Sequence, residues 1–466
     1  LEGLEITEIF NSDLERTQRI DSDFYSKKNL EILSQIDKKY PKPLTEFVRV
    51  SDGNHMSISE YFSDEGIPYY RGGDIYNFFI EQTSQPLRIP ETVSDWPHMK
   101  RSHLQKGDVL LSIVGAIIGN LSLVKTDQKA TCSCKLAILR PKSAKPELIS
   151  TFLKSYFGQN QIQKFRRGSG QTGLILEDFD QLLMPSFSEM FSKKIEAIVN
   201  IAFLKSQDSE QTYSAAEILL LETIGLKNFN PSTDPANIKG FKESFLTSGR
   251  LDAEYYQKKY EDFLRLIFSY QHGFEELQVL CNLKDSNFTP DDKTEYKYIE
   301  LADIGKTGEI KGCTTAFGIE LPSRARRKVN TNDVVISSIE GSLKSCALVN
   351  EEYNNALCST GFYVINSEKI NSETLLVLFK SEPIQNILKQ SCSGTILTAI
   401  NKNEFQKIPV PLIDKSIQEL IKGKISESFN LKKQSEQLLE TAKRAVEIAI
   451  EQVEEEAIKY INLNLK

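Results

Sequence analysis

The chain writes one pattern twice, and that repetition constrains its fold more than any other feature. Arg19-Ile20-Asp21-Ser22-Asp23-Phe24-Tyr25-Ser26-Lys27-Lys28 is matched by Arg250-Leu251-Asp252-Ala253-Glu254-Tyr255-Tyr256-Gln257-Lys258-Lys259, 231 positions later in a chain of 466 residues. Only Ser26 against Gln257 is not a conservative change. Four further matches follow in the same order. Tyr69-Tyr70-Arg71-Gly72-Gly73-Asp74-Ile75 parallels Tyr298-Ile299-Glu300-Leu301-Ala302-Asp303-Ile304, and Gly107-Asp108-Val109-Leu110-Leu111-Ser112 parallels Asn332-Asp333-Val334-Val335-Ile336-Ser337. Phe179 and Pro185 correspond to Phe405 and Pro411, and Ser209-Glu210-Gln211 recurs as Ser435-Glu436-Gln437. Chance produces one such match, not five in register, so the chain is a tandem duplication of roughly 230 residues.

Each half has the same internal layout. A short helix-like opening (21–36 and 252–270) leads into a stretch rich in glycine, proline and β-formers. Val109 to Val114 is a continuous apolar run of strand length that ends at Gly115, and Leu121-Ser122-Leu123-Val124 alternates as a half-buried strand does. Ala347-Leu348-Val349 and Gly361 to Ile365 take the same places in the second half. The expected class is mixed α/β (α+β): two duplicated globular domains, joined and separated by long helices. Residues 1–40 form an N-terminal helical segment, 41–187 the first globular domain and 188–227 a central helical spacer. Residues 228–271 form a linker with a short helix, 272–412 the second globular domain and 413–466 a C-terminal helical spacer.

The spacers have the pattern of paired helices. There is no proline from Ser186 to Asn230 or from Leu412 to Lys466. Leu431, Leu438, Ala442, Ala445, Ala449 and Val453 form a heptad-like seam whose small residues admit a close neighbour, and Ile195, Ile198, Ala202, Ala216 and Leu220 are spaced comparably. About 45 helical residues would reach roughly 65 Å. Such helices are expected to be spacers, partner-binding surfaces, or both.

The usual catalytic constellations are missing. Gly168-Ser169-Gly170-Gln171-Thr172-Gly173 comes nearest to a phosphate loop, but Leu174-Ile175 stand where lysine and a hydroxyl must be. His55, His98, His103 and His272 include no helical metal pair, and the seven cysteines read as small strand residues of a reducing compartment, Cys132-x-Cys134 lacking a second pair. Neither a catalytic residue nor a metal ligand is expected. The net charge of -7 weighs against a nucleic-acid partner only as a sum, because binding depends on where charges lie. Lys164, Arg166 and Arg167 stand in an acid-free stretch beside Ser169, Gln171 and Thr172, a composition suited to phosphates and base edges. Arg324, Arg326, Arg327 and Lys328 cluster in the second half, where Ser393 and Thr395 mark the equivalent loop.

Taken together, the duplication, the Gly107 to Ser112 strand and the Phe179/Pro185 lead into a long helix resemble the specificity (S) subunit of type I restriction–modification systems. Gly66-Ile67-Pro68-Tyr69-Tyr70-Arg71-Gly72-Gly73-Asp74-Ile75 resembles that family's G-I-P-x-x-R-x-x-D-I segment, Asp52-Gly53-Asn54-His55 its D-G-x-H turn, and 442–451 its C-terminal helix. The resemblance implies two target recognition domains, each reading half of an asymmetric bipartite target in double-stranded DNA, with His55 and Arg71 as further contacts. It also implies two long antiparallel, coiled-coil-like helices that dock two methyltransferase (M) subunits, and through the complex restriction (R) subunits. No cofactor would belong to this chain: S-adenosylmethionine is the methyltransferase's, and ATP and Mg the restriction subunit's. The second half lacks the G-I-P entry, the arginine and the D-G-x-H turn, so the roles of Arg71 and His55 do not transfer to it. Two other readings stay open: the recognition portion of a fused restriction–methylation enzyme, and a helical protein-binding scaffold. No leader opens the sequence and no apolar run is long enough to span a bilayer, so a cytoplasmic location without membrane contact is expected.

Overall fold

The apolar run after Asp108 becomes the centre of a sheet, and the rest of the first half is arranged around it. The computed structural model describes residues 6–14, 19–83, 85–168, 172–394 and 398–465. The chain forms two compact units: Leu1–Ser206 with Lys433–Lys466, and Gln207–Lys432.

In the first unit, helix α1 is Lys27–Asp37, and the strands are β1 (Val48–Asp52), β2 (Ile67–Tyr70), β3 (Leu87–Ile89), β4 (Val109–Ser112), β5 (Leu121–Leu123), β6 (Thr131–Cys132) and β7 (Leu136–Pro141). Two short helices follow, α2 (Pro146–Lys154) and α3 (Tyr156–Lys164), and then the long α4 (Glu189–Thr223). One sheet has the order β1-β7-β4-β5 and is antiparallel throughout; a second has the order β3-β2-β6, with β2 and β6 parallel. All four residues of β4 are buried, as a strand covered on both faces requires.

The second unit repeats this plan. Its elements are α5 (Lys258–Phe268), β8 (Asn282–Leu283), β9 (Glu295–Ile299), β10 (Thr314–Phe317), β11 (Ala325–Lys328), β12 (Val334–Ser337), β13 (Cys346–Leu348), β14 (Leu357–Ser359) and β15 (Phe362–Asn366). Helices α6 (Ser372–Lys380) and α7 (Glu382–Gln390) come next, and the chain ends in α8 (Lys415–Glu451) and α9 (Glu454–Asn464). The sheet β8-β15-β12-β13 reproduces β1-β7-β4-β5, and β10-β9-β14-β11 reproduces the second sheet with one strand added, β9 and β14 again parallel. The duplication therefore extends to strand order and direction. Its turn chemistry repeats too: Gly107 (φ 92°) and Asn332 (φ 69°) supply the same left-handed residue before β4 and β12, a conformation glycine and asparagine tolerate best.

The two openings are shorter as helices than their sequences suggest. Asp21 and Asp252 stand just before turns, the Asp21 Oδ1 accepting the Phe24 N–H at 3.1 Å, and α1 starts only after Ser26, whose hydroxyl accepts from the Asn29 N–H.

The long helices are built into the units rather than standing apart from them. In the first unit, Ile195, Ile198 and Ala202 of α4 and Ala442, Ala445 and Ala449 of α8 share one core with Leu111, Phe152 and Phe157. The Ser435 hydroxyl donates to the Ala202 carbonyl at 2.6 Å, while Lys194 reaches Asn462, so the partners run antiparallel. In the second unit, Ala216 and Leu220 pack with Ile421 and Ile425, and the Ser209 hydroxyl donates to the Ser428 carbonyl at 2.8 Å. These two hydrogen bonds are the same bond under the duplication, since 435 − 209 and 428 − 202 both equal 226. The seam residues expected to meet a partner are thus spent inside the chain: eight of the eleven are buried, namely Ile195, Ile198, Ala202, Ala216, Leu220, Ala442, Ala445 and Ala449. Leu431 and Leu438 are half-buried, and Val453 is exposed in the break between α8 and α9. The break also shortens the C-terminal helix from the expected 45 or so residues to 37.

One half-buried cation sits at a helix joint. Lys154, the last residue of α2, is pushed down to about 8 by burial and by the Lys443 ammonium. The lysine is charged in both states below about pH 8. Between there and the ordinary value of 10.5 only the unfolded chain keeps its proton, so stability rises with pH across that window. Lys154→Met is expected to raise stability at pH 7 by roughly 2 kcal/mol and to flatten this rise; denaturant titrations at pH 7.5 and 10 check both.

Candidate nucleic-acid interface

In the first unit the turns that carry His55, Arg71 and Thr172 are linked by a chain of contacts. Arg71 follows β2 in a turn fixed by Asp74, whose Oδ2 accepts the Arg71 N–H at 2.7 Å and the guanidinium Nε at 3.3 Å. Gly72 lets that turn seat closely, because a Cβ there would stand 2.8 Å from Ile117 Cδ1. The turn holding Ile117 is in contact with the polar loop: the Gly115 N–H donates to the Thr172 carbonyl at 2.8 Å, and Val114 bridges Gly173. His55 lies nearby, since Asn54 bridges Ser133 and the Ser133 N–H donates to the Tyr70 carbonyl. Its Nε2 is 2.6 Å from Asp52 Oδ2, and the same carboxylate takes Arg101, a residue that no sequence pattern linked to this turn.

The three cations of the polar loop have different surroundings. The Lys164 ammonium lies 4.1 Å from the Phe24 ring centroid. Arg166 is exposed and its Nε donates to the Thr172 hydroxyl at 3.0 Å. Arg167 is turned inward: its backbone exchanges two hydrogen bonds with Gly173, and its guanidinium pairs with buried Asp178. Arg167 closes the loop from within and is removed from the set of surface contacts. Arg19, Lys28, Lys164 and Arg166 line a cleft of about 540 Å³ together with Gly168 and Thr172. Ser169 and Gln171 lie outside the described residues.

In the second unit the basic cluster is distributed rather than shared. Arg324 is exposed and pairs with Glu300 at 2.9 Å; Glu300 stands where Arg71 stands in the first unit, so the charge at this position is inverted and then masked. Arg326 donates to the Ser323 carbonyl, and the Lys328 ammonium lies 5.7 Å from the Phe288 ring centroid. Arg327 is half-buried, with Nε and Nη1 buried and lacking a hydrogen-bond partner among the described residues. Two such donors facing no acceptor are costly unless something outside the chain supplies one. Ser393 is exposed in a two-residue strand paired with Ala399, while Thr395 lies outside the described residues.

The two units therefore carry cations at non-equivalent places on equivalent frames. In the first they gather after α3; in the second they lie along β11, an edge strand. Of the cysteines, Cys132 and Cys358 occupy matching places in β6 and β14, and burial pushes both thiols up. That environment makes them packing groups, not nucleophiles. No helix among the described residues is long and apolar enough to cross a membrane.

The fold defined here is a duplicated, mixed α/β architecture with paired long helices. No family model matches the chain, and no curated protein matches it. Among solved structures, the chain is similar to the S subunit of a type I restriction–modification system from M. genitalium, with 13% identity over 89% of this chain and 95% of that one and a TM-score of 0.37. It is similar also to the HsdS subunit from Thermoanaerobacter tengcongensis, with 15% identity over 89% and 96% and a TM-score of 0.28. The type IIG restriction endonuclease BpuSI aligns at 10% identity over 38% of this chain and 28% of its own, with a TM-score of 0.29.

Proposed function

We propose that this chain is the DNA sequence-recognition subunit of a type I restriction–modification complex. Each globular domain reads one half of an asymmetric, interrupted target, with 41–187 and 272–412 as the target recognition domains. The observation that carries this reading is a reader frame built twice with its cations placed differently. A duplicated frame presents two related surfaces to a duplex, and different side chains on them select different half-sites. The chain itself does no chemistry: it holds DNA before methyltransferase subunits, which extract an adenine from the stack and supply S-adenosylmethionine. Restriction subunits supply ATP and Mg. The buried seam leaves other residues for methyltransferase docking, and α4 exposes Met190, Ile201, Leu204 and Ile218.

Mapping methylated adenines across the genome of a host that expresses the chain with a methyltransferase partner tests the reading. The expected result is one split, asymmetric motif; a continuous palindrome defeats the two-reader arrangement. Arg166→Ala, as loss of a phosphate contact, should weaken DNA binding alike for all sequences and lower the salt slope by about 1.

A further inference from the structure

The duplicated Arg-x-Asp-x-x-[Phe/Tyr] segment is the strongest match between the halves, yet it lies outside both sheets. We infer that its arginines, Arg250 and Arg19, are positioning residues that set the loop following α7 and α3. This rests on the proposed function, with Thr172 and Ser393 of those loops as the DNA contacts expected from the sequence. Arg250 is largely covered and makes every kind of contact a guanidinium can. Its Nε and Nη2 hold the Asp252 carboxylate at 2.8 and 2.6 Å, and its plane lies 4.3 Å from the Tyr255 ring centroid. The remaining donors reach across 140 residues of sequence: Nη2 to the Cys392 carbonyl at 2.8 Å and Nη1 to the Gln390 carbonyl at 3.4 Å. Gln390 answers by donating its side-chain amide to the Tyr255 carbonyl at 3.0 Å. These carbonyls stand at the end of α7, where acceptors are left without helical partners and a cation is favourable. They are also the root of the loop whose next residues are Ser393 and Gly394.

Arg19 repeats the local part of this arrangement, the carboxylate and the ring, in the first unit. It pairs with Asp21 at 2.7 Å, lies 4.5 Å from the Phe24 ring centroid, and lines the same cleft as Arg166, Gly168 and Thr172. A lysine has one compact charge and cannot clasp a carboxylate, two carbonyls and a ring face together. The arginine, carboxylate and ring are constant between halves, whereas the loops after α3 and α7 differ: Gly168-Ser169-Gly170-Gln171-Thr172-Gly173 against Ser391-Cys392-Ser393-Gly394-Thr395. A constant holder for a variable tip is what two readers of different half-sites need.

Arg250→Lys and Arg250→Ala in the full chain test this in two ways. Amide hydrogen exchange without DNA should show the 391–394 backbone exchanging about tenfold faster or more, with β12 and β15 unchanged. Adenine methylation mapped genome-wide with the methyltransferase partner should show about tenfold relaxed discrimination in one half-site, the other half keeping its sequence. Arg19→Ala should relax the opposite half. Equal relaxation of both halves, or unchanged exchange at 391–394, overturns the clamp. If Arg250→Ala does not fold, Arg250→Lys decides by the same criteria. A wild-type chain that gives no split motif removes the functional reading, and the exchange measurement still decides the clamp.

Discussion

A chain that ends at Gly225 is expected to form a symmetric dimer and to select a split palindrome. The reason lies in the two equivalent hydrogen bonds of the long helices. In the intact chain the Ala202 carbonyl is served by Ser435, and the Ser209 hydroxyl is spent on Ser428. A chain of residues 1–225 retains Ala202 and Ser209, seven positions apart on one helix, where neither can reach the other. A second antiparallel copy supplies both missing partners. The apolar faces are interchangeable in the same way: Ile195 and Ile421, Val199 and Ile425, Ala216 and Ala442, Leu220 and Val446, and Ile224 and Ile450 are equivalent pairs, all buried. The truncated chain would expose half of this seam, several kcal/mol of apolar burial at about 25 cal/mol per Å². What the dimer cannot replace is α9, whose Ala457 and Ile461 close the first core and have no counterpart after Gly225. Sedimentation equilibrium is expected to give twice the chain mass, and methylation mapping with the partner enzyme the first unit's half-site in inverted repeat. A stable monomer would mean that the two helix faces are not equivalent.

How much of this was legible in the sequence depends on the distance over which each feature is decided. The duplication shows in matched segments, and the central strand and the long helices show in the apolar patterns of Val109 to Ser112 and of Ala442, Ala445 and Ala449; strand order, set by contacts between distant segments, was not legible. The seam residues alone left their partner open, and only the resemblance implied that the two helices pair with each other. A heptad face looks the same whether it meets another protein or a helix of its own chain, and here it meets the latter. Individual cations were hardest. Arg166 and Arg167 are neighbours of one type, yet one faces solvent and the other is drawn in by Asp178, eleven residues on. Similarly, Arg324 is held by Glu300, and only the substitution of glutamate for the arginine of the first half hinted at this pairing. The clamp arginines had the clearest sequence signal of all, a ten-residue match, but its meaning needed the loop carbonyls of Gln390 and Cys392, which no local pattern announces.

The Gly-Asp and Asn-Asp turns before β4 and β12 yield the second large effect, for Asp108 and Asp333 are placed as structural charges. Asp108 is buried; its carboxylate accepts the Gln105 N–H at 2.8 Å and a fork from Arg140, Nε at 2.8 Å and Nη2 at 2.7 Å. Asp333, equally buried, accepts the Asn330 N–H at 2.7 Å, Lys284 at 2.7 Å and the Asn366 amide at 2.8 Å. Asp108→Ala removes three acceptor contacts and leaves Arg140 without its counter-charge, a loss expected to cost about 3–5 kcal/mol. That is a large share of the 5–15 kcal/mol or so that holds an ordinary domain together. Asp333→Ala leaves a lysine, which can bend toward solvent, and an amide, so its cost should be smaller, about 2–3 kcal/mol. The double variant Asp108→Leu with Arg140→Met separates the causes. If the single variant fails because a cation is stranded, the apolar pair recovers most of the lost stability, leaving mainly the unpaired Gln105 N–H. If it fails because the turn needs its cap, the double variant is no better. Denaturant unfolding of the three chains distinguishes the two, and because β4 and β12 lie in different units, Asp108→Ala should shift one unfolding step and Asp333→Ala the other.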